Sequence, residues 1–114
     1  MTDKEYAEFD YPHFVECLRS MGAGGLDNML HSAVGISGES GELLDHMKKV
    51  IWQDHPLDKN YVLYELGDIL FYLTSMCNCV GTDIDTVRRL NIKKLQKRYP
   101  DGVFDKDRSI NRDG

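Results

Sequence analysis

Two acidic pairs, each in a long stretch without basic residues, constrain the fold of this chain most. Glu39 and Glu42 are three residues apart, and so are Glu65 and Asp68; residues at this spacing share one face of a helix. The stretches without lysine or arginine are residues 20–47 and 60–86. A carboxylate buried among apolar residues takes up a proton, pairs with a distant cation or binds a metal ion. We therefore interpret the four carboxylates as a metal site between two helices.

Apolar residues recur at helical spacing in four segments, and no segment alternates as a strand would. The predicted helices cover about residues 11–21, 27–52, 59–80 and 83–98. Their expected N-terminal caps are Asp10, Asp27, Asp58 and Thr82. The third segment is apolar on more than one side, which is typical of a central helix or of one that a second subunit covers. The chain is therefore predicted to be all-α with four helices.

The length and composition favour a single small domain. With 114 residues and 41% hydrophobic content, the chain is expected to form one domain over residues 1–114. Its core is expected at about residues 11–98. Residues 1–10 are expected to be a loose lead-in, and residues 103–114 a mobile tail.

Charge and cysteine content bear on the binding partners and the cellular compartment of the protein. The net charge of −5 does not favour nucleic-acid binding. Cys17, Cys77 and Cys79 follow no disulfide-framework spacing, which suits a reducing compartment. The polar, acidic start does not resemble a signal peptide, and no apolar run approaches the ~20 residues that a membrane span needs. We expect a cytoplasmic protein that binds neither nucleic acid nor a membrane.

Glycines on the second predicted helix indicate a close approach. Gly35, Gly38 and Gly41 each cost a helix up to ~1 kcal/mol relative to alanine. Such a cost is reasonable where another backbone or a ligand must come near. His46 continues the acidic stripe of this helix, and we expect it at the surface rather than as a ligand.

The residue types also suggest a chemistry. Four carboxylates offer only oxygen ligands, which favours Mg²⁺, with Mn²⁺ as the alternative. Asn91, Lys94 and Arg98 share one face of the last predicted helix, where they can bind phosphate oxygens. A divalent ion polarises a phosphoryl group and lowers the pKa of a bound water. Acids, metal and basic residues together suggest hydrolysis of a polyphosphate.

Three segments resemble the MazG-like branch of the all-α NTP pyrophosphatases. They are Gly35–Leu44 (GISGESGELL), Glu65–Leu73 (ELGDILFYL), and Asn91–Leu95 (NIKKL) followed by Arg98-Tyr99-Pro100. The resemblance covers about residues 27–104. It implies a MazG-like all-α architecture that assembles as a homodimer or homotetramer, often with the active site near the interface.

The resemblance also implies an activity. A metal-activated water cleaves a (d)NTP to a (d)NMP and pyrophosphate in a Mg²⁺-dependent reaction, and the implied cellular role is housecleaning of the nucleotide pool. The positions that match the metal-binding acids of the family are Glu39, Glu42, Glu65 and Asp68. Those that match its phosphate contacts are Asn91 and Lys94, with Arg98 as a looser match. Glu39 or Glu42 is the candidate catalytic residue that orients or deprotonates the water.

The sequence indicates the type of reaction but not which base the substrate carries. Candidates to line a base pocket are His31, Trp52 and Tyr72. Residues 1–26 match the family poorly, and in such proteins the first helix helps to form this pocket. The standard nucleotides, dUTP or dCTP, modified nucleotides and phosphoribosyl-ATP all stay open as substrates.

Other interpretations stay open at this point. Acidic pairs on helices usually face solvent, and the strongest alternative is that bases such as Arg88 and Lys93 pair with the four acids across the fold. The chain would then be a non-catalytic helical oligomer or a regulatory partner protein. A carboxylate-bridged di-iron protein is a further alternative, but that class uses Glu-x-x-His pairs, and the chain contains none.

Overall fold

The computed structural model describes residues 1–19 and 25–102, and the regular elements of these residues are all α-helices. They are α1 (Asp3–Glu8), α2 (Tyr11–Arg19), α3 (Leu26–Trp52), α4 (Lys59–Cys79) and α5 (Ile84–Arg98). The all-α prediction is therefore confirmed. The predicted mobile tail at residues 103–114 and the predicted end of the first long helix lie outside the described residues.

The expectation of a loose lead-in is wrong for residues 3–8, which form α1. Thr2 caps this helix, because its Oγ1 accepts a hydrogen bond from the Glu5 N–H at 3.1 Å. The cap satisfies one of the free N–H groups of the first turn, and the acidic Asp3 and Glu5 favour the positive end of the helix dipole. Thr2-x-x-Glu5 is a capping-box pattern, so the sequence does carry a signal for this helix.

Aspartate carboxylates cap most of the remaining helices. Asp10 and Asp58 each accept a backbone N–H of the following turn at 3.1 Å, as predicted. For α5 the predicted cap Thr82 is wrong, because Asp83 accepts the Thr86 N–H at 2.7 Å. A carboxylate forms a stronger, charge-assisted hydrogen bond than a hydroxyl, which explains why the aspartate takes this position.

α3 begins earlier than predicted. Its N-cap is Gly25, whose φ of 72° lies in the left-handed region that glycine enters without strain. The predicted cap, Asp27, is therefore wrong. Asp27 lies inside the first turn instead, where its charge still stabilises the N-terminal end of the helix.

α3 and α4 pack against each other in antiparallel directions. Ser32 Oγ donates to Ser75 Oγ at 2.9 Å towards one end of the pair, and the rings of His46 and Tyr61 lie 4.9 Å apart towards the other. A step forward on α3 thus corresponds to a step backward on α4. This register places the two acidic pairs opposite each other.

The α3–α4 pair is polar between its helices and apolar on its outside. Ser32, Glu65 and Ser75 are buried in the pair. The outer face of α3 exposes Leu30, Val34, Leu44 and Ile51, and the outer face of α4 exposes Leu63, Leu66, Leu70 and Leu73. Apolar residues at helical spacing normally face a core. A single copy of the described chain therefore leaves two apolar helix faces uncovered.

α2 packs against α4. Val15 of α2 is fully buried, and Asn78 Nδ2 of α4 donates to the Pro12 carbonyl at 3.0 Å. The rings of Phe9 and Phe14 meet edge to face with their centroids 5.4 Å apart. The α2–α4 contacts bring the start of α2 to the helix that carries the second acidic pair. The Phe9–Phe14 contact joins the end of α1 to α2.

The chain forms two compact units, residues 1–81 and residues 82–114. The first contains α1 to α4. The second is described over residues 82–102 and contains α5, on which Asp85 pairs with Arg88 at 2.9 Å and with Arg89 at 2.8 Å. A single domain over residues 1–114 stays a prediction. No helix within the described ranges has both the length and the apolar character to cross a membrane.

Candidate metal centre

Three carboxylates from two helices converge between α3 and α4. Oxygens of Glu39, Glu42 and Glu65 all lie within 4.8 Å of one another. Glu39 and Glu42 are one turn apart on α3, and the antiparallel register brings Glu65 of α4 opposite them. Oxygens bound to one Mg²⁺ or Ca²⁺ at about 2.0–2.6 Å are separated by roughly 5 Å at most. The spacing of the three carboxylates therefore fits one shared divalent ion.

Glu65 is the buried member of this cluster. It is 7% exposed, and its Oε2 is buried without a hydrogen-bond partner. A hydrogen bond shared with Glu39, burial, and the neighbouring Glu42 raise the pKa of Glu65 to about 7. Its ionised form is disfavoured both by its neighbours and by lost hydration. Near neutral pH, Glu65 must therefore share a proton or gain a cation.

The ligand atoms of the cluster match a hard divalent cation. All three groups offer oxygen, the donor that Mg²⁺, Mn²⁺ and Ca²⁺ prefer. Among the described residues, no histidine or cysteine joins the group. A cation would also satisfy the unpartnered Oε2 of Glu65. The predicted Mg²⁺ or Mn²⁺ fits these residues, whereas a di-iron site with histidine ligands does not.

Asp68, the fourth predicted acid, lies outside this group of three. It is exposed, and the register places it opposite Glu39. The pKa of Tyr11 is raised, first by burial and then by the charge of Asp68. The first residue of α2 therefore lies within electrostatic reach of Asp68. A metal-binding role for Asp68 stays a prediction.

Tyr72 lies directly against the backbone of α3. A Cβ built at Gly35 would stand 2.5 Å from the Cγ of Tyr72 and closer still to two other ring atoms, so Gly35 does permit a close approach, as expected. Around Gly38 and Gly41 nothing in the described chain lies within 4 Å of that position. The ring of His31 lies 6.1 Å from that of Tyr72. The structure thus brings two of the three base-pocket candidates together.

Trp52, the third base-pocket candidate, lies elsewhere on α3. It is 75% exposed and borders a surface groove with Gly41, Leu44, Asp45 and Lys48. Leu44 belongs to the outer face of α3, so the groove opens on that face. A base-binding role for Trp52 stays a prediction.

Several basic residues of α3 and α5 pair with acids outside the cluster. Lys48 and Lys49 lie 3.1 and 3.0 Å from the carboxylate of Asp45, and two arginines of α5 bind Asp85. Carboxylates outside the cluster thus engage four of the chain's bases. This arrangement weakens the alternative in which surface bases simply neutralise the four predicted acids.

The predicted phosphate contacts all lie on α5, within the second unit. Asn91 and Lys94 are exposed there, and Arg98 is half-buried. Their separations of three and four residues place them on one face of the helix. Phosphate binding by this face stays a prediction.

His46 has contacts that the sequence analysis missed. It is half-buried, and its Nε2 accepts the backbone N–H of Asp58 at 3.2 Å. Its ring lies 4.9 Å from that of Tyr61. His46 stands one turn beyond Glu42, and Tyr61 stands one turn before Glu65. The signal in the sequence was this spacing, since His46 continues the acidic stripe four residues after Glu42.

Comparison with known proteins bears on the family of this chain. A family model described as the MazG nucleotide pyrophosphohydrolase domain matches residues 29–103. The chain is also similar to the gene 37 protein of Mycobacterium phage L5, with 29% identity over an alignment of 90 positions. The match covers 73% of this chain and 79% of that protein. No solved structure gives a significant match. All four predicted acids lie within the residues that the family model matches.

Proposed function

Because the chain belongs to the MazG nucleotide pyrophosphohydrolase family, we propose that it is a Mg²⁺-dependent nucleoside triphosphate pyrophosphohydrolase, with Mn²⁺ as an alternative ion. It cleaves a (d)NTP to a (d)NMP and pyrophosphate, and so removes nucleotides from the cellular pool. The observation that carries this proposal is the convergence of Glu39, Glu42 and Glu65 within 4.8 Å, with a buried and unpartnered oxygen on Glu65.

The acidic residues have two proposed roles, which are metal binding and activation of the attacking water. Glu39, Glu42 and Glu65 would hold the ion, together with Asp68. When bound, Mg²⁺ lowers the pKa of a water and offsets the charge on the phosphate oxygens. Glu42, which is exposed, orients the attacking water and accepts its proton, with Glu39 as the alternative. The attack breaks the bond between the α- and β-phosphates, and pyrophosphate leaves.

Other side chains bind the rest of the nucleotide. On α5, Asn91, Lys94 and Arg98 supply an amide, an ammonium and a guanidinium for the phosphate oxygens, and the guanidinium can bind two oxygens at once. Tyr72 lies one turn beyond the second acidic pair on α4, with His31 beside it. These two rings provide an aromatic surface for the base. Stacking on aromatic side chains tolerates any base, so the base preference has to be measured.

The chain is further proposed to assemble as a homodimer or homotetramer in the cytoplasm. The outer faces of α3 and α4 support assembly, because they expose rows of apolar side chains and large apolar patches mark interaction sites. The three cysteines follow no disulfide-framework spacing, which supports a reducing compartment. Light scattering of the purified protein gives the number of subunits.

A nucleotide-panel assay tests the activity. With Mg²⁺, the protein is expected to release pyrophosphate and a monophosphate from at least one NTP or dNTP. Glu42→Gln and Glu65→Gln are each expected to lower kcat/KM by roughly 100-fold, because a neutral amide replaces a charged oxygen donor. Asp45→Asn is the matched control, since Asp45 is an exposed carboxylate of α3 that pairs with two lysines. Undiminished turnover in Glu42→Gln or Glu65→Gln contradicts the assignment.

A non-catalytic oligomer is the second candidate, because the exposed outer faces of α3 and α4 would also suit a partner protein. Thermal unfolding with Mg²⁺ and nucleotide distinguishes the two functions. A ligand held at 100 times its dissociation constant stabilises a folded protein by ~2.7 kcal/mol. The enzyme is expected to show such a shift, whereas a protein without a nucleotide site shows none.

A further inference from the structure

His46 connects the start of α4 to α3. Its Nε2 accepts the Asp58 N–H at 3.2 Å, and its ring lies 4.9 Å from that of Tyr61. Asp58 is also the N-cap of α4, since its Oδ1 accepts the Tyr61 N–H at 3.1 Å. One imidazole of α3 therefore contacts both the cap of α4 and its first turn.

This contact lies next to the acidic cluster. On α3, His46 follows Glu42 by one turn, and on α4, Tyr61 precedes Glu65 by one turn. A helix rotates by about 100° and rises by about 1.5 Å per residue. Rotation of α4 about its axis by the angle of one residue, about 100°, would therefore turn Glu65 away from the glutamates of α3. Whatever holds the first turn of α4 against α3 also sets the position of Glu65.

Another polar contact across the pair lies on the far side of the cluster. Ser32 and Ser75 are hydrogen-bonded at 2.9 Å, about two turns of α4 beyond Asp68. In the connecting segment, the His55 N–H donates to the Lys49 carbonyl at 3.1 Å, which closes the end of α3 without reaching α4. On the loop side of the cluster, His46 supplies a hydrogen bond between α3 and the cap of α4.

We propose that His46 is a positioning residue for the metal centre. By accepting the Asp58 N–H, it fixes the first turn of α4 on α3 and so keeps Glu65 within reach of the two glutamates of α3. The inference rests on the proposed function. The group that matters is the acceptor nitrogen, so the imidazole carries its proton on Nδ1. A different side chain with an acceptor oxygen can replace it, and a ring without an acceptor cannot.

Mn²⁺ titration of the full chain, followed by electron paramagnetic resonance, tests this proposal without nucleotide or turnover. His46→Gln keeps an acceptor but loses the ring, His46→Phe keeps the ring but loses the acceptor, and His46→Ala loses both. The Kd for Mn²⁺ is expected to rise about tenfold in the Phe and Ala variants, which corresponds to ~1.4 kcal/mol. In His46→Gln it is expected to stay within about threefold of wild type.

His55→Ala is the matched control for this series. His55 is an exposed histidine of the segment that connects α3 to α4. Its backbone N–H, which the substitution leaves in place, is the group that donates to Lys49. Its Mn²⁺ affinity is expected to equal that of wild type. Circular dichroism establishes that each variant is folded at the titration temperature. Should His46→Ala unfold, the comparison of the Gln and Phe variants carries the test.

A metal-independent measurement completes the design. Nitrogen NMR of the imidazole ring identifies the tautomer, and an unprotonated Nε2 with Nδ1–H is expected for His46. The proposal is overturned by the opposite tautomer, by His46→Phe binding Mn²⁺ as tightly as wild type, or by His46→Gln losing as much affinity as His46→Phe. If the wild-type chain binds no Mn²⁺, the metal centre of the proposed function fails and this inference falls with it. If wild type and His46→Phe bind equally, this inference alone fails.

Discussion

One added methyl group tests the packing of the α3–α4 pair directly. At Gly35 the new Cβ would stand 2.5 Å from the Cγ of Tyr72, whereas at Gly38 it would meet nothing within 4 Å in the described chain. Both glycines are interior positions of α3. Replacing either of them by alanine therefore stabilises the helix by the same amount, up to ~1 kcal/mol. The difference between Gly35→Ala and Gly38→Ala therefore isolates the cost of displacing the Tyr72 ring.

The size of this difference follows from the contact. Forcing an extra methyl group into a filled site costs ~1–3 kcal/mol. Gly38→Ala is expected to raise the free energy of unfolding by up to ~1 kcal/mol, and Gly35→Ala is expected to lie ~1–3 kcal/mol below Gly38→Ala. A change of 1 kcal/mol shifts the Tm of a small domain by roughly 4–8 °C. The two variants should thus differ in Tm by at least about 4 °C.

Thermal and urea unfolding, followed by circular dichroism, measure this difference. All samples are held at one protein concentration, because assembly makes Tm depend on concentration. Tyr72→Ala provides the internal control: in its background, Gly35→Ala should lose its penalty, because the ring that blocks the Cβ is gone. A Gly35→Ala protein as stable as Gly38→Ala would refute the explanation of Gly35.

Two further predictions concern buried polar groups. The metal-free protein is expected to lose stability as the pH rises from about 4.5 to about 7. Folding raises the pKa of Glu65 from 4.5 to about 7, so the folded state binds this proton more tightly than the unfolded state does. The stabilisation is lost as the proton leaves. Unfolding in EDTA between pH 5 and 8 measures the slope, and Glu65→Gln should flatten it while Asp45→Asn should not; an unchanged slope in Glu65→Gln contradicts the prediction. Thr74 Oγ1 is buried without a hydrogen-bond partner, so Thr74→Val is expected to stabilise the chain by ~1 kcal/mol. Ser75→Ala breaks the 2.9 Å hydrogen bond to Ser32 and is expected to destabilise the chain by ~1 kcal/mol. Urea unfolding that ranks these two variants in the opposite order would overturn this explanation.

The polar interior of the α3–α4 pair explains why these sites are informative. In most helix pairs the apolar faces meet, but here Ser32, Glu65 and Ser75 are buried between or beside the helices. Buried polar groups destabilise a fold unless they are satisfied. Natural proteins accept such costs mainly where function requires them. The arrangement therefore agrees with a binding site along this pair, with the outer faces of α3 and α4 left for other contacts.

Most of the helix boundaries could be predicted from local signals. Asp58 begins α4 as a carboxylate cap, and α3 ends at Trp52 before Pro56, which cannot continue a helix. A local signal is also present at residues 1–10, where Thr2 caps α1 in a capping-box pattern, and the expected loose lead-in is wrong there. Before α5, two neighbouring residues, Thr82 and Asp83, could each cap the helix, and Asp83 does so. Competition between adjacent caps depends on local backbone geometry, which composition does not reveal.

The sequence by itself determined that the chain is helical and that each acidic pair occupies one helix face, because a separation of three residues is a local property of the backbone. Only the tertiary structure decided which acids converge: Glu39, Glu42 and Glu65 come within 4.8 Å of one another, while Asp68 lies outside the group. It also decided that His46 meets the cap of α4. These contacts depend on the distance, rotation and register between two helices, and the period of a single helix contains no information about where its neighbour begins.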